Sequence, residues 1–146
     1  MIETNYNKEK FDDIWIEEFK IPTWKDRRGY IYLLVDSVFP DFVKVGTTRD
    51  LRKRLVSYNS DKPYPSSRFI AVAKPFVNAY EVEKRILDLL YNNTQPTTFK
   101  KEWFLVEHKD YIKMLMEAAE EHFELLEIDD ESTEDDDNEI EEDSNE

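Results

Sequence analysis

A chain of 146 residues fits one folded domain with tails, and its 40% hydrophobic and 14% aromatic content is enough for one compact core. It has no cysteine, which excludes disulfides, zinc–thiolate centres and thiol nucleophiles. No stretch has the apolar character of a signal peptide or a membrane span, so a soluble, intracellular protein with no membrane partner is expected. The formal net charge of -14 is unevenly spread: Asp129 to Glu146 carries 12 acidic and no basic residues, while Lys25 to Lys113 carries 17 basic and 11 acidic ones, a local excess of +6. Composition alone describes a soluble domain with solvating acidic ends. The basic middle also suits a phosphate-binding core whose charge is masked in the total.

Residues 8–20 predict a short helix, with Phe11, Ile14, Trp15 and Phe19 at helical spacing. Pro22 breaks it, and Lys25 to Arg28 reads as a charged linker. Gly29 opens the run Tyr30-Ile31-Tyr32-Leu33-Leu34-Val35, whose β-branched and aromatic bias predicts a strand. Asp36 to Asp41 is a loop. Phe42 to Val45 is a second strand ended by Gly46, so a short antiparallel hairpin is expected. Thr47 or Thr48 is placed to cap a helix running to about Tyr58. Asn59 to Ser67, with Pro63 and Pro65, is loop. Arg68 to Val77 predicts a strand ending near Pro75, Ala79 to Tyr91 a helix, Trp103 to Val106 a strand, and Lys109 to about Leu126 a last helix. From Asp129 the acidic, low-complexity composition predicts disorder. The order describes an α+β fold, a small antiparallel sheet flanked by helices. It comprises an N-terminal helical extension over 1–24, a domain over 25–126 and an acidic tail over 127–146.

Two charged residues interrupt apolar stripes. Leu51, Leu55 and Tyr58 form one side of the helix after Gly46, and Arg54 falls among them, while Arg52 and Lys53 point elsewhere. On the helix from Ala79, Glu83 lies among Ala79, Val82, Ile86, Leu87 and Leu90; Glu81, Lys84, Arg85 and Asp88 make the polar side. A core-facing charge needs a partner. One reading is an internal Arg54–Glu83 salt bridge; the other is a cleft in which both meet a phosphate and a metal. Alternation puts Tyr30, Tyr32 and Leu34 on one strand face and Phe42 with Lys44 on one face of the next. There Lys44 is placed to lower a phenol pKa or to touch phosphate; an ordinary half-exposed strand with snorkelling aromatics is the alternative. His108 and His122 are too far apart in sequence to form a metal pair and read as surface residues.

Gly29-Tyr30-Ile31-Tyr32, then Lys44-Val45-Gly46-Thr47-Thr48, Arg54 eight residues after Gly46, Tyr58-Asn59-Ser60, Glu81-Val82-Glu83-Lys84 and finally Glu102-Trp103-Phe104 resemble, in order and spacing, the GIY-YIG endonuclease superfamily. The resemblance covers roughly Gly29 to Leu115. It is closest to the phage-type DNA-binding branch, which includes a meiotically-up-regulated-gene-like domain. The resemblance implies metal-assisted phosphodiester cleavage of DNA or RNA. In it Tyr32 activates or positions the attacking water, with Tyr30 and Lys44 beside it. Arg54 clamps the scissile phosphate, and Glu83 binds one divalent ion, Mg2+ or Mn2+. A hard cation that keeps several waters needs only one carboxylate, and arginine offers a permanent bidentate clamp. Lys44, Thr47, Arg49, Arg52, Lys53, Arg54, Asn59 and Arg68 are the residues expected to meet nucleic acid. Lys44 replaces the tyrosine of the wider superfamily, as is usual in this branch. Leu87 stands where the branch often has a histidine, and the late asparagine of the best-known enzymes has no counterpart. Three functions follow: a nuclease, a non-catalytic nucleic-acid-binding module of the same fold, and an interaction protein whose acidic tail binds a basic partner.

Overall fold

The computed structural model describes residues 1–4, 27–94 and 102–127. The expected helix over 8–20 and the tail from Asp129 lie outside these residues. Among the described residues the chain forms β1 (Ile2–Glu3), β2 (Tyr30–Asp36), β3 (Phe42–Thr48), α1 (Leu51–Asn59), β4 (Ser67–Val72), α2 (Ala79–Asn93), β5 (Trp103–Leu105), a 3-10 turn (Val106–His108) and α3 (Lys109–His122). The five strands make one antiparallel sheet in the order β1-β4-β2-β3-β5. The fold is α+β, as the sequence predicts. Ile2 and Glu3 pair with Val72 and Ala71, so these two residues form an edge strand of the sheet.

β2 is the central strand because it is apolar on both faces. Ile31 and Leu33 face the larger core with Val43, Val45, Ile86, Leu90, Phe104, Ile112 and Met116, under α2 and α3. Tyr30, Tyr32 and Leu34 face the smaller core with Leu51, Leu55, Phe69 and Val72, under α1. Both tyrosines are buried, at 1% and 0% exposure, and neither snorkels. The alternation expected for β2 therefore holds, but the strand is covered on both sides.

β3 continues past Gly46 and pairs Thr47 with Ile31 and Thr48 with Tyr30. Because the ladder holds Thr48, the chain turns only at Asp50, and Asp50 caps α1 by accepting from the Lys53 amide at 3.0 Å. The helix cap expected at Thr47 or Thr48 thus falls at Asp50. α2 is capped by Asn78, whose Oδ1 accepts from the Glu81 amide. β4 stops at Val72, short of the expected Val77, and carries a bulge opposite Leu33 and Leu34. The segment beyond closes the domain by isolated bridges, Phe76 to Gly29 and to Leu125. The chain has two glycines, and both stand where a Cβ has no room: at Gly29 it would meet the Thr48 carbonyl at 2.9 Å, at Gly46 the Tyr32 ring.

Candidate active site

α1 lies across the small core and buries Leu51, Leu55 and Asn59. One i to i+4 series thus makes the contact, and Arg54 and Tyr58 fall on its rim. Tyr58 is half-buried and Arg54 is exposed, so Arg54 is not the core charge that the periodicity predicted. Its guanidinium turns onto the phenols of Tyr32 and Tyr58, within hydrogen-bonding reach of both. The two phenols share a hydrogen bond of 2.7 Å, with their rings edge-on at 6.2 Å. Phe69 packs against Tyr32 at 4.9 Å. On the opposite strand Gly46 leaves the space that the Tyr32 ring occupies. Tyr32 is therefore wedged between Phe69, Tyr58 and a bare backbone.

β5 pairs with β3 only over Phe42 to Lys44. The Val45 amide still donates to the Glu102 carbonyl at 3.0 Å, and Gly46 to Thr48 lie beyond that ladder. Charged side chains from three elements gather at this corner: Lys44 from β3, Glu102 just before β5, and Glu83 from the second turn of α2. Lys44 donates to Glu102 at 2.5 Å, with its ammonium 5.9 Å from the Trp103 ring centre. Glu83 is half-buried. Burial and the charge of Glu102 push its pKa up to about 7, and Lys44 and Arg54 only partly oppose them. Among the described residues no ion pair joins Arg54 to Glu83; the two interact at longer range. The internal salt bridge that the sequence left open is not formed.

Burial, then Tyr58, raise the pKa of Tyr32, and Arg54 acts against them without prevailing. Lys44 has no part in that balance, being held by Glu102. The expectation that Lys44 lowers the phenol pKa is thus corrected, because the ammonium faces a carboxylate and an indole. Tyr32 is a neutral hydroxyl at ordinary pH. Tyr30 stays apart: it is sealed in the core, and burial and the charge of Asp50 raise its pKa.

Several expected nucleic-acid contacts fall elsewhere. Asn59 is buried, its Nδ2 donating to the Ser67 carbonyl at 3.2 Å and its Oδ1 accepting from the Ser67 amide at 3.0 Å. It clamps α1 to β4 with both ends of its amide. Thr47 pairs with Ile31 and Arg68 with Val35. Cross-strand partners share a face, so both sit on the α2 and α3 side, away from Arg54. Arg49, Arg52 and Lys53 flank Arg54 at the start of α1; Lys53 is exposed, while Arg49 and Arg52 are half-buried and engaged within the molecule. His122 is exposed and His108 half-buried beside Glu107. Leu87 packs against the large core.

Two members of the corner were missed in the sequence. Tyr58 reads as the end of an apolar stripe, and its position four residues after Arg54 was the available signal. Glu102 was visible only as the first residue of the Glu102-Trp103-Phe104 motif. Among the described residues no three His, Cys, Asp or Glu side chains are close enough to hold a metal together. A cation here would take Glu83 and complete its shell with water and substrate oxygens. That donor set suits a hard ion such as Mg2+ and not zinc.

The antiparallel sheet with α1 on one face and α2 and α3 on the other makes the chain an α+β protein. The T5orf172 domain matches residues 29–119, more than half of the chain, and the protein belongs to that family. The domain is found in phage and nuclease-associated proteins. No curated protein and no solved structure matches the chain. No helix among the described residues is long and apolar enough to cross a membrane.

Proposed function

We propose that the protein is a metal-dependent endonuclease of the GIY-YIG type that cleaves DNA phosphodiester bonds. The observation that carries this reading is the convergence on one corner of Tyr32, Tyr58, Arg54, Lys44 and Glu83, drawn from four elements. Arg54 and Lys44 are the cations for the non-bridging oxygens of the scissile phosphate. Glu83 is the carboxylate for a divalent ion. Its raised pKa suits the role, since a cation relieves the charge that burial and Glu102 disfavour. The bound ion would supply charge neutralisation at the phosphate and an oriented water. Tyr32 is too buried and too weakly acidic to arrive as a phenolate. It serves by fixing its half-buried hydrogen-bond partner Tyr58. Tyr58 orients the attacking water and passes its proton to solvent.

A non-catalytic nucleic-acid-binding module is the second reading. It is favoured by Leu87, which fills the core where the branch often has a histidine.

Plasmid and single-stranded DNA incubated with Mg2+, Mn2+ or EDTA separate the two. The nuclease reading requires metal-dependent cleavage that falls by two or more orders of magnitude, roughly, in Glu83→Gln and Arg54→Ala. Glu81→Gln, on the solvent side of the same helix, should cleave like the parent. Binding without cleavage under every metal condition would leave the module as the function.

A further inference from the structure

The Glu102-Trp103-Phe104 motif is not accounted for by the cleavage chemistry, yet its first residue reaches into the corner twice. The Glu102 carbonyl accepts from the Val45 amide, and its carboxylate holds the Lys44 ammonium at 2.5 Å. The two partners are unequal. The Lys44 side chain is 14% exposed and braced by the Trp103 face, whereas that of Glu102 is 45% exposed. The cation is the fixed member and the carboxylate the one that can swing into water. The main-chain bond to Val45 keeps the strand edge in place when it does. The pair is open to solvent on the Glu102 side, so another anion can approach Lys44 from there and take the place of the carboxylate. A carboxylate oxygen and a phosphate oxygen offer an ammonium the same acceptor.

We infer that Glu102 is a positioning residue that occupies Lys44 in the free protein, standing where a phosphate oxygen of the nucleic acid binds, and that nucleic-acid binding exchanges the one anion for the other. The inference rests on the reading of Lys44 as a phosphate contact. The departure of Glu102 also removes a negative charge from beside Glu83. In the parent protein the exchange leaves a bare carboxylate that gathers a counterion, which offsets the counterion released from the nucleic acid. Without that carboxylate the offset disappears.

The test is equilibrium binding of the full chain to a fluorescent DNA duplex in EDTA between 50 and 200 mM salt. Glu102→Gln should bind about threefold to tenfold more tightly at 50 mM. Its plot of log affinity against log salt should steepen by up to about 0.9, the contribution of one phosphate contact. Lys44→Gln should weaken binding, and adding Glu102→Gln to it should change nothing further. Glu102→Ser repeats the measurement should the amide variant melt early, and it should tighten binding likewise. If Glu102→Gln leaves affinity unchanged or weakens it while Lys44→Gln weakens it, the pair is a static strut and the exchange is wrong. Equal tightening with and without Lys44 overturns it as well, by exposing a general charge effect. No binding by the parent or any variant removes the phosphate reading itself and the exchange with it, a pattern distinct from the other two.

Discussion

Asp36 closes the turn end of the β2–β3 hairpin and Glu83 stands at its β3 edge, and the protein treats the two carboxylates in opposite ways. Asp36 is buried at 4% exposure but well supplied. It accepts from the Val38 amide at 2.9 Å, from the Ser67 hydroxyl at 3.0 Å and from Lys62 at 2.5 Å. Burial works to raise its pKa, yet these partners outweigh burial and bring it down to about 2. Glu83 is less buried and poorly supplied, and it rises to about 7. The Asp36 carboxylate is satisfied internally and reads as structure. The Glu83 carboxylate is left short of partners, a setting in which functional groups are found.

The largest loss of stability is expected at Asp36. Asp36→Ala strands Lys62 and two hydrogen-bond donors and should cost on the order of 3 kcal/mol in denaturant unfolding. DNA affinity measured well below the melting temperature should be unchanged. A loss under about 1 kcal/mol would remove the structural reading of that end.

Glu83→Gln should have the opposite sign. Its raised pKa means that the folded state holds the proton more tightly than the unfolded chain. That contribution is complete below the ordinary value of 4.5 and is lost as pH rises through about 7. The glutamine variant keeps a neutral group at every pH. In EDTA it should exceed the parent by roughly 2 kcal/mol at pH 8, after allowance for partial exposure, and match it near pH 4. Asp36 runs the other way: its stabilisation is complete above about pH 4 and disappears as pH falls toward 2. A glutamine variant less stable than the parent at pH 8 would mean that Glu83 has a structural partner after all.

Gly46→Ala sharpens the contrast from the opposite strand. The new Cβ collides with the Tyr32 ring, which Phe69 and Tyr58 prevent from yielding. Unfolding should show a loss of about 1–3 kcal/mol. Cleavage should fall further than stability accounts for, because the Tyr32–Tyr58 bond is displaced. Parent-like cleavage by a folded Gly46→Ala protein would separate that bond from the chemistry.

The smallest effect on stability is expected from the acidic segment. Removing residues 129–146, with 12 carboxylates and no basic residue, should leave the melting temperature nearly unchanged. DNA binding should tighten at low salt, because those carboxylates compete with phosphate for the basic core. The gain should fade as ionic strength rises. Equal affinity at low salt would end that competition as an explanation of the tail.

Much of the fold is legible in the residues because local pattern and tertiary placement agree. The run from Tyr30 to Val35 is a strand, the Leu51 and Leu55 series a helix, and Ala79 to Tyr91 a helix, each within a few residues of the structure. The misplaced boundaries have tertiary causes. Thr47 and Thr48 looked like a helix start until β2 claimed them as ladder partners. β1 is two residues long and forms only because β4 offers a free edge. Asn59 looked like a surface contact and is a buried clamp, since nothing local reveals that Ser67 folds back onto it.

Residue pattern alone was enough for the α+β class and for the separation of a basic middle from an acidic end. Periodicity and composition are local properties, and these features are local. Only the tertiary structure decided which charges meet. Arg54 turns to two phenols and not to Glu83, Lys44 is held by Glu102 from 58 residues away, and Glu83 and Asp36 acquire opposite acidities. Those outcomes depend on distance and burial in three dimensions. A carboxylate's pKa is set by what surrounds it, and no stretch of sequence around Glu83 contains the residues that do so.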